Sequence, residues 1–482
     1  MELECYTFTV NCLIVAIELS LSYCNYEYVN QKIIMSFIDK KTIYRDFDIR
    51  GKYPEEITDE EVYKIGKALV HYFQVKKVAI GRDIRPSADA LFASLAKGLT
   101  ESGVEVLDLG LCTTPMSYFI CGSTDVDMTI MITASHMPSE YNGLKISVED
   151  SRPVTGDILQ KIREIVGTHT FSEETTHGNI ISHSLQQDWI RRFKEKHDLS
   201  GSHLSVVIDP ANMIGVLEID TFKAFEPDIS VHTIFDTFDH SCPNHEANPM
   251  KHDTLCHLSS TVKEKTADLG IAFDGDADRV GFVDELGNPV PADLIGCLLA
   301  RYVLEKTPNA TIVCDIRSSK ALTEEIAKKG GKPIREKVGH THIRTRMRKE
   351  NAVLGIELSA HFFFKDSFFS EGGPLPAFII MEIMQKEKKS LSQLVSEVKK
   401  YHNSGEINSQ IARTPQEIYD ELREMFKDAK LDTTDGLTIH YEDWWCNVRP
   451  SANDPVMRLN LEANTETLMS EKRDLLLEVI RG

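Results

Sequence analysis

A short apolar, β-rich run recurs along this chain and ends each time in a polar loop. The runs are KVAIGRDIRPS at residues 77–87, DMTIMITASH at 127–136, LSVVIDPANMIG at 204–215 and TIVCDIRSSK at 311–320. Helical patterns follow the first and the last of them, in ADALFASLAKGLTESG and ALTEEIAKKGG. Strand-like runs that alternate with amphipathic helices predict α/β layers. The pattern supports three related α/β units, with functional loops beyond the carboxyl ends of their strands.

The last part of the chain has a different order of elements. A helical pattern, PQEIYDELREMFKDA, precedes the strand-like segments GLTIHYED, WWCNVRP and VMRLNLEA, and the chain ends in helical TETLMSEKRDLLLEVIR. This order predicts a small α+β domain. The chain of 482 residues is too long for one core, and domains of ~100–150 residues give three or four. We place the domains at residues 35–187, 188–291, 292–402 and 403–482.

Residues 1–34 are interpreted as an extension of little functional weight. Their apolar stretch at 8–24 contains Asn11 and Glu18 and has no basic flank. It therefore fits neither a signal peptide nor a clean membrane span. Met35 begins MSFIDKKTIYRDFDIRG, which has the character of a domain start, and we expect Met35 to be the authentic initiator.

Charge and cysteine content narrow the expected partners and location. The formal net charge of −20 argues against nucleic acid or an anionic membrane as a partner. Small anionic ligands are compatible with this charge, because a local cluster of Arg and Lys can override the global field. The chain has 10 cysteines and no CxxC pair, which predicts reduced thiols and a cytoplasmic location.

Three carboxylates follow a buried-looking strand in LGIAFDGDADRVGF, namely Asp274, Asp276 and Asp278. On an extended loop, alternate side chains can turn toward one point, and three oxygen ligands suit a hard cation such as Mg²⁺. An EF-hand is excluded because its sixth position is Arg279 rather than Gly and because both flanks are strand-like. A solvated acidic turn is the weaker alternative, since the carboxylates come directly after the strand.

Two further segments carry polar side chains whose chemistry the local sequence leaves open. In TASHMPSEYNGLK, Ser135 is either a nucleophile or part of a polar loop that caps a strand. In GIELSAHFFFKD, Glu357, Ser359 and His361 alternate, so an extended segment would present them on one face. A carboxylate and a hydroxyl on one face can read adjacent hydroxyl groups of a sugar. The alternative is an ordinary strand with one polar face.

The segment NVRPSANDPVMRLN contains groups that can bind a phosphate. Arg449, Ser451 and Asn453, with the backbone amides around them, can surround phosphate oxygens. Taken alone, the prolines and the Asn-Asp pair indicate only a turn. The phosphate interpretation therefore depends on the other segments of the chain.

Together, the four segments resemble one family, the α-D-phosphohexomutases, in its phosphomannomutase/phosphoglucomutase branch. FDIRG followed by GRDIRPS is similar to the opening of that family, and TASHMPSEYNGLK to its phosphoserine loop. DGDADR is similar to its metal loop, GIELSAH to its sugar-specificity loop and RPSANDP to its phosphate loop, with PNHEANP and VGHTHIR between them. The resemblance runs from about Met35 to the C-terminus. It implies four domains around a central cleft, three similar mixed α/β domains and a smaller C-terminal α+β domain.

The resemblance also implies a reaction, the conversion of a hexose 1-phosphate to the 6-phosphate. Ser135, phosphorylated in the resting enzyme, gives its phosphoryl group to the free hydroxyl, and the other phosphate of the resulting 1,6-bisphosphate returns to Ser135. One Mg²⁺ per chain and hexose 1,6-bisphosphate as activator are the expected cofactors, and hexose phosphates are the expected partners. The GIELSAH form favours mannose, with glucose as a second sugar. A phosphoglucosamine mutase and a sugar-phosphate-binding protein that has lost turnover are the alternatives.

The same resemblance assigns roles to individual residues. The metal ligands would be Asp274, Asp276, Asp278 and phosphorylated Ser135. The residues around the transferring group would be His136, Lys145, Arg279 and Arg50, with Arg317 and His340 near the reacting hydroxyl. Glu357 and Ser359 would bind the 3- and 4-hydroxyls of the sugar, with His361 in the same loop. The non-transferring phosphate would stay on Arg449, Ser451 and Asn453.

Several positions depart from the family pattern. Met137 replaces the usual Asn after the Ser-His pair, Phe47 replaces a Tyr, and Ala360 replaces the more frequent Gly. In the phosphate loop, Ala452, Asn453 and Asp454 stand where Asn-Thr-Glu is usual. We expect these changes to affect rate and sugar preference more than the reaction class.

Overall fold

The computed structural model describes residues 43–171, 177–451 and 456–482. The predictions made for residues 1–34, Met35, Ala452, Asn453 and Asp454 lie outside those ranges. Within them, four separate sheets follow one another along the chain. The first three combine parallel and antiparallel pairs, and the last is antiparallel throughout. This arrangement confirms the predicted fold class, three mixed α/β units followed by a smaller C-terminal unit.

In the first unit, buried strands alternate with helices as the sequence pattern predicts. The strands are β1 (Ile49–Lys52), β2 (Lys77–Arg82), β3 (Glu105–Leu111), β4 (Met128–Ile132), β5 (Tyr141–Val148), β6 (Arg152–Pro153) and β7 (Ile180–Ser182), and the helices are α1 (Asp59–Phe73), α2 (Ala88–Thr100), α3 (Thr114–Ser123) and α4 (Gly156–Thr168). Strand β4 is fully buried, which explains its continuous apolar sequence. It is parallel to β2 and antiparallel to β5. The loop that leaves β4 therefore starts at the carboxyl edge of the parallel part of the sheet.

The second unit contains the hairpin that carries the three aspartates. Its elements are α5 (Gln186–Lys196), β8 (Leu204–Asp209), α6 (Glu218–Lys223), β9 (Ile229–Thr233), α7 (Cys256–Lys265), β10 (Leu269–Phe273), β11 (Val280–Asp284) and β12 (Pro289–Val290). Strand β10 is parallel to β8 and antiparallel to β11. The three aspartates lie in the β10–β11 connection. Both flanks of that loop are strands, which confirms the exclusion of an EF-hand.

The third unit repeats the mixed sheet with helices against it. Its elements are α8 (Ala292–Lys306), β13 (Thr311–Asp315), α9 (Lys320–Lys328), β14 (Lys332–Glu336), α10 (His340–Glu350), β15 (Leu354–Glu357), β16 (His361–Phe364), β17 (Ser370–Glu371), α11 (Leu375–Glu387) and α12 (Leu391–Ser396). The extended conformation considered for Glu357 to His361 is wrong. Glu357 ends β15 and His361 begins β16, and the three residues between them form a turn with Ala360 at a φ of 66°.

The C-terminal unit has the order of elements that the sequence predicts. Its elements are β18 (His402–Gln410), α13 (Pro415–Met425), β19 (Lys430–Asp432), β20 (Leu437–His440), β21 (Trp444–Pro450), β22 (Val456–Ala463) and α14 (Glu466–Arg481). A capping box starts α13, in which Thr414 and Glu417 each accept a hydrogen bond from the other's backbone N–H. The sheet order is β18-β22-β21-β20-β19, so β21 and β22 occupy the interior of the sheet.

The hydrophobic cores show how the units are joined. One continuous core runs through the second and third units and takes in part of the first, including Met116 and Ile120 of α3. Within it the ring of Phe378 packs against Phe222 and Phe225. The C-terminal unit has a core of its own, formed by residues of its sheet, α13 and α14. Polar contacts join that unit to the third, including Lys320 N to Glu462 at 2.9 Å. The first three units thus share apolar packing, whereas polar groups attach the C-terminal unit.

Two sequence-based expectations concern membranes and thiols. Among the residues that the structure describes, no helix combines the length and apolarity that crossing a membrane requires. The seven cysteines in the described ranges are free thiols.

Candidate active site

Ser135 lies in the loop that follows β4, residues 133–141, which we call the Ser135 loop. Its backbone has a φ of 53°, in the left-handed region that a non-glycine residue adopts only when its surroundings enforce it. The enforcing contacts are present. Ser135 N donates to Thr133 Oγ1 at 2.9 Å, and Thr133 Oγ1 donates to Asp83 Oδ2 at 2.7 Å. The serine is thus buried and held in one orientation at the edge of the sheet.

Arg85, which the sequence analysis did not single out as a site residue, holds the same loop together. Its guanidinium is buried and donates to the carbonyl oxygens of Ser135, Met137, Pro138 and Tyr141 at 2.6, 2.7, 2.6 and 3.0 Å. Asp83 pairs with Arg85 Nε at 3.0 Å. The only sequence signal was the Asp-x-Arg of GRDIRPS directly after β2. Arg85 and Asp83 therefore hold the backbone of the Ser135 loop in place, and their role is to position the serine.

The aspartate loop, residues 274–278, meets the Ser135 loop from the second unit. Carboxylate oxygens of Asp274, Asp276 and Asp278 lie within 4.8 Å of one another, and all three side chains are buried. Ser135 Oγ donates to Asp274 Oδ2 at 2.8 Å. A glycine is needed at position 275, because a Cβ there would come within 2.2 Å of the Ser135 carbonyl oxygen. The two loops thus approach at backbone contact distance.

The donor set of the aspartate loop fits a hard divalent cation. Asp276 Oδ1 is buried and, among the described residues, has no hydrogen-bond partner, and such an oxygen needs a ligand. Burial, reinforced by Asp278 and Asp276, raises the pKa of Asp274 to about 8. Three buried carboxylates this close together repel one another, and a bound cation would relieve that repulsion.

Cations from two units partly balance the aspartates. Lys145 Nζ lies 2.5 Å from Asp276 Oδ2 and 2.6 Å from Asp278 Oδ2, and Arg279 Nε lies 3.7 Å from Asp274 Oδ2. Burial alone would raise the pKa of Asp278, but Lys145 and His361 outweigh it and hold that pKa well below its usual range. The site therefore contains an ionised carboxylate beside a lysine that can also donate to an incoming phosphoryl group.

Thr114 is a second residue that the sequence did not indicate. It begins α3 in the first unit, and its Oγ1 donates to Asp276 Oδ2 at 2.6 Å. Its backbone N–H donates to the Asp276 carbonyl oxygen at 3.0 Å. Thr114 and Ser135 belong to the same unit. The two hydrogen bonds from Thr114 to Asp276 therefore hold the aspartate loop against the unit that carries the Ser135 loop.

His136 lies beside Ser135, and Arg50 lies close enough to His136 to influence its pKa. His136 Nδ1 is 3.2 Å from Ser135 Oγ. Burial, with Arg279 and Arg50 nearby, lowers the pKa of His136 to about 2, so the imidazole is neutral. Arg50 itself pairs with Asp48. The arrangement supplies positive charge and a neutral imidazole around the serine hydroxyl.

The 357–361 turn brings its three polar side chains together despite its different conformation. Glu357 and His361 are cross-strand partners, and Ser359 Oγ lies 3.0 Å from His361 Nδ1. His361 Nε2 is 3.3 Å from Asp278 Oδ1, so the turn adjoins the aspartate loop. Burial alone would lower the pKa of His361, but Asp278 and its hydrogen bonds raise it to about 10. The histidine is thus a cation between two carboxylates.

His340 is the first residue of α10 and stacks on His361, with ring centroids 6.3 Å apart. The ring of Phe47 meets it edge-on at 5.7 Å. Burial, together with Lys145 and Arg344, lowers the pKa of His340 well below its usual range. His340 is therefore a neutral imidazole beside the 357–361 turn.

A separate cationic group lies in the C-terminal unit. Arg449 on β21 and Arg458 on β22 are direct cross-strand neighbours, and Arg458 Nη2 donates to Ser451 Oγ at 3.0 Å. We call Arg449, Ser451 and Arg458 the arginine cradle. Both arginines contact Glu406, at 3.1 and 3.3 Å. The sequence analysis did not predict a role for Arg458, because its neighbours in sequence indicate only a strand. Asn453, which was predicted for this group, lies outside the described residues.

Arg317 connects the arginine cradle to the rest of the site. Its Nη2 lies 2.6 Å from Asp315 Oδ2 and 3.5 Å from Glu357 Oε1, and its Nη1 lies 3.3 Å from Glu406 Oε2. The predicted site residues thus fall into two groups, one around Ser135 and one around the arginine cradle. The 357–361 turn contacts the first group directly, through His361 and Asp278, and is linked to the cradle through Arg317 and Glu406. Such a site can bind a molecule that carries an anion at one end and a reactive group at the other.

Comparisons with known proteins identify the class. Residues 41–173, 187–287 and 291–401 match the α/β/α domains I, II and III of phosphoglucomutase/phosphomannomutase, respectively. A phosphomannomutase of Escherichia coli K12 is 34% identical over 90% of this chain and 97% of its own. A phosphomannomutase of Methanocaldococcus jannaschii is 33% identical over 89% of this chain and 95% of its own. A crystal structure of a phosphoglucomutase/phosphomannomutase family protein from Burkholderia thailandensis superposes with a TM-score of 0.83 and 28% identity, covering 91% of this chain and 96% of that one.

The fold, the site and these matches define a phosphohexomutase, an isomerase that acts on hexose phosphates. The chain belongs to the phosphoglucomutase/phosphomannomutase family. The family expected from the sequence is thereby confirmed.

Proposed function

We propose that this enzyme interconverts the 1- and 6-phosphates of mannose, and also of glucose, through a phosphoserine at Ser135 and a hexose 1,6-bisphosphate intermediate. The observation that carries the proposal is the contact of Ser135 Oγ with Asp274 at 2.8 Å, with Lys145 between Asp276 and Asp278. Around this serine, the aspartates can bind a metal ion and fixed cations lie close by. Both would stabilise the charge on a phosphoryl group during its transfer.

Mg²⁺ is the cation we assign to the aspartate loop. Asp274, Asp276 and Asp278 would hold it together with phosphorylated Ser135, and their oxygen-only donor set suits a hard cation. When bound, the ion neutralises charge on the transferring phosphoryl group. Lys145 and Arg279 supply further donors from the chain itself.

Phosphoryl transfer would break the bond between phosphorus and Ser135 Oγ and form a bond from phosphorus to a sugar hydroxyl oxygen. The hydroxyl proton needs an acceptor. We assign this task to His340, which is neutral and stacks on His361 beside the 357–361 turn. The family resemblance places Arg317 near the reacting hydroxyl as well. Because Arg317 contacts both Glu357 and Glu406, we propose that it acts instead at the phosphate end of the substrate.

Each end of the sugar must react in turn. Glu357 and Ser359 lie between the Ser135 group and the arginine cradle, where they can bind the 3- and 4-hydroxyls in either orientation of the sugar. Arg449 and Ser451 would hold the phosphate that does not react. Mannose and glucose differ at carbon 2, which these contacts need not read, and both sugars are therefore proposed substrates.

The test is Ser135→Ala in a coupled mutase assay with mannose 1-phosphate and glucose 1-phosphate, Mg²⁺ and a trace of glucose 1,6-bisphosphate. We expect kcat to fall more than about 10³-fold, while binding of mannose 6-phosphate is retained. Ser123→Ala is the matched control, because Ser123 is exposed at the end of α3 and donates only to a backbone carbonyl. Substantial turnover by the Ser135 variant would contradict the phosphoserine mechanism.

A further inference from the structure

We propose that Glu406 is a competing anion for the arginine cradle, which the phosphate of the substrate displaces from Arg449 each time it binds. The proposal rests on the proposed function and deepens it, since it concerns the end of the substrate that does not react. Glu406 belongs to none of the segments that the sequence analysis selected.

Glu406 lies on β18, where the third and C-terminal units meet. Its Oε2 accepts hydrogen bonds from Arg317 Nη1 at 3.3 Å and from Arg449 Nη2 at 3.1 Å. Its Oε1 lies 3.3 Å from Arg458 Nη1. One carboxylate therefore contacts both arginines of the cradle and one arginine of the third unit.

The placement of the two cradle arginines requires an anion. Arg449 and Arg458 are directly opposite each other on neighbouring antiparallel strands, and like charges in that relation repel. Burial alone would raise the pKa of Glu406, but Arg317, Arg449 and Arg458 outweigh it and hold that pKa below its usual value. The carboxylate is thus ionised. It neutralises only part of the positive charge, so the cradle still attracts a phosphate.

The donors of Arg449 show where the competition occurs. A guanidinium binds phosphate best through two parallel N–H groups, such as the pair formed by Nε and Nη2. Arg449 Nε is buried and has no hydrogen-bond partner among the described residues. Nη2 already donates to Glu406. Nη2 carries two N–H groups, but a phosphate that binds the pair shares this nitrogen with Glu406, and repulsion between the two anions favours departure of the carboxylate from Arg449.

Other contacts keep the two units together without Glu406. Val338 N donates to Asp435 Oδ2 at 3.1 Å, and Lys320 Nζ donates to the Glu442 carbonyl oxygen at 2.8 Å. Loss of the Glu406 charge should therefore change the affinity of the cradle without detaching the C-terminal unit.

A competing anion has a use in the proposed cycle. The 1,6-bisphosphate must leave the cradle, turn around and bind again with its other phosphate. A cradle of two unopposed arginines would slow this step by holding the intermediate too tightly. Glu406 can return to Arg449 as the phosphate departs, which keeps the exchange fast.

The experiment measures binding of inorganic phosphate and of mannose 6-phosphate by calorimetry, on the full chain carrying Ser135→Ala so that no turnover occurs. Glu406→Gln keeps the shape of the side chain and removes its charge. We expect the Kd of both ligands to fall about tenfold, equivalent to about 1.4 kcal/mol. Glu424→Gln removes the same charge from an exposed position on α13 and should leave both Kd values unchanged.

Glu406→Asp distinguishes the effect of the hydrogen bond to Arg449 from the effect of the negative charge. It keeps the charge, but its shorter side chain moves the carboxylate away from Arg449. We expect its Kd values to lie between those of the Ser135→Ala parent chain and those of the Gln variant. Equal or weaker binding by the Gln variant would overturn the proposal, as would an Asp variant identical to the parent. If every chain binds inorganic phosphate but none binds mannose 6-phosphate, the proposed sugar substrate is wrong while the phosphate data still test Glu406.

Discussion

Arg85→Lys is expected to loosen the Ser135 loop and so to reduce catalysis, although we assign Arg85 no contact with the substrate. The Arg85 guanidinium makes four hydrogen bonds to carbonyl oxygens of the loop, and its side chain is 1% exposed. A lysine keeps the charge, but its single ammonium cannot reach all four oxygens, so at least two bonds are lost. At about 1.5–3 kcal/mol for each bond to a charged donor, loss of two bonds should lower the free energy of unfolding by about 3–6 kcal/mol.

The effect on activity follows from the position of Ser135. Its left-handed backbone is maintained by the surrounding bonds, and a displacement of about 1 Å at a reacting group reduces rates about 10²-fold. We therefore expect kcat/KM for mannose 1-phosphate to fall about 10²-fold. The coupled mutase assay measures this loss, and urea unfolding monitored by fluorescence measures the loss of stability.

Arg82→Lys is the matched control, because Arg82 lies three residues earlier on β2. It pairs with Asp89 and Asp108, both at 2.7 Å, and the Asp89 side chain is 88% exposed. Exposed ion pairs such as the one with Asp89 contribute about 0–1 kcal/mol. The Asp108 pair is partly buried, with side chains 16% and 22% exposed, but a lysine keeps the charge that pairs with it. This variant should therefore lose less stability than Arg85→Lys and keep its full activity. If Arg85→Lys retains kcat/KM within threefold of the control, the carbonyl contacts do not hold Ser135 in place and the reasoning is refuted.

Two further predictions concern pH and phosphate binding. Burial raises the pKa of Glu218 to about 7 despite hydrogen bonds from Trp189 and Thr113. The folded chain thus holds this proton more tightly than the unfolded chain. The contribution of Glu218 to the free energy of unfolding is therefore fully present below the unfolded pKa of 4.5, and it declines by about 3 kcal/mol as pH rises through 7. Glu218→Gln should remove this decline in urea unfolding series at several pH values, and an unchanged slope would contradict the assignment. Arg449→Lys should raise KM for mannose 1-phosphate about tenfold, because a point charge replaces a planar fork; unchanged steady-state kinetics would show that the cradle does not bind the substrate phosphate.

The parts of the fold that the sequence predicts are those in which local pattern and tertiary structure agree. The run MTIMI reads as a buried strand because β4 has neighbours on both faces and both sides. The aspartates of the loop after β10 are adjacent in sequence, so their convergence needs no long-range information. The 357–361 turn was missed because Ala360 takes a left-handed φ of 66°, and alanine carries no turn signal.

Apart from Arg458, the site residues that the sequence did not reveal act across long separations in the chain. Thr114 and Asp276 are 162 positions apart, and Arg85 and Ser135 are 50 positions apart. Glu406 and Arg449 come from non-adjacent strands of one sheet. Each of these residues has an ordinary local role, at the start of a helix, in a loop after a strand or on a strand. Their functional contacts arise only in the tertiary structure, within one unit for Arg85 and Glu406 and between two units for Thr114. The local sequence patterns contain no record of that packing.

The two ends of the site are built from different kinds of interaction, and the difference matches the tasks we propose for them. At the Ser135 end, buried charges and hydrogen bonds to backbone groups from two units fix each group, including the carbonyls bound by Arg85 and the Thr114 contact to Asp276. Phosphoryl transfer requires such fixed alignment. At the cradle end, Glu406 and Arg458 are partly exposed and form ion pairs that exchange readily with solvent ions. The proposed cycle needs both properties, because transfer requires fixed alignment at Ser135 and turnover of the bisphosphate requires a cradle that releases one phosphate and binds the other.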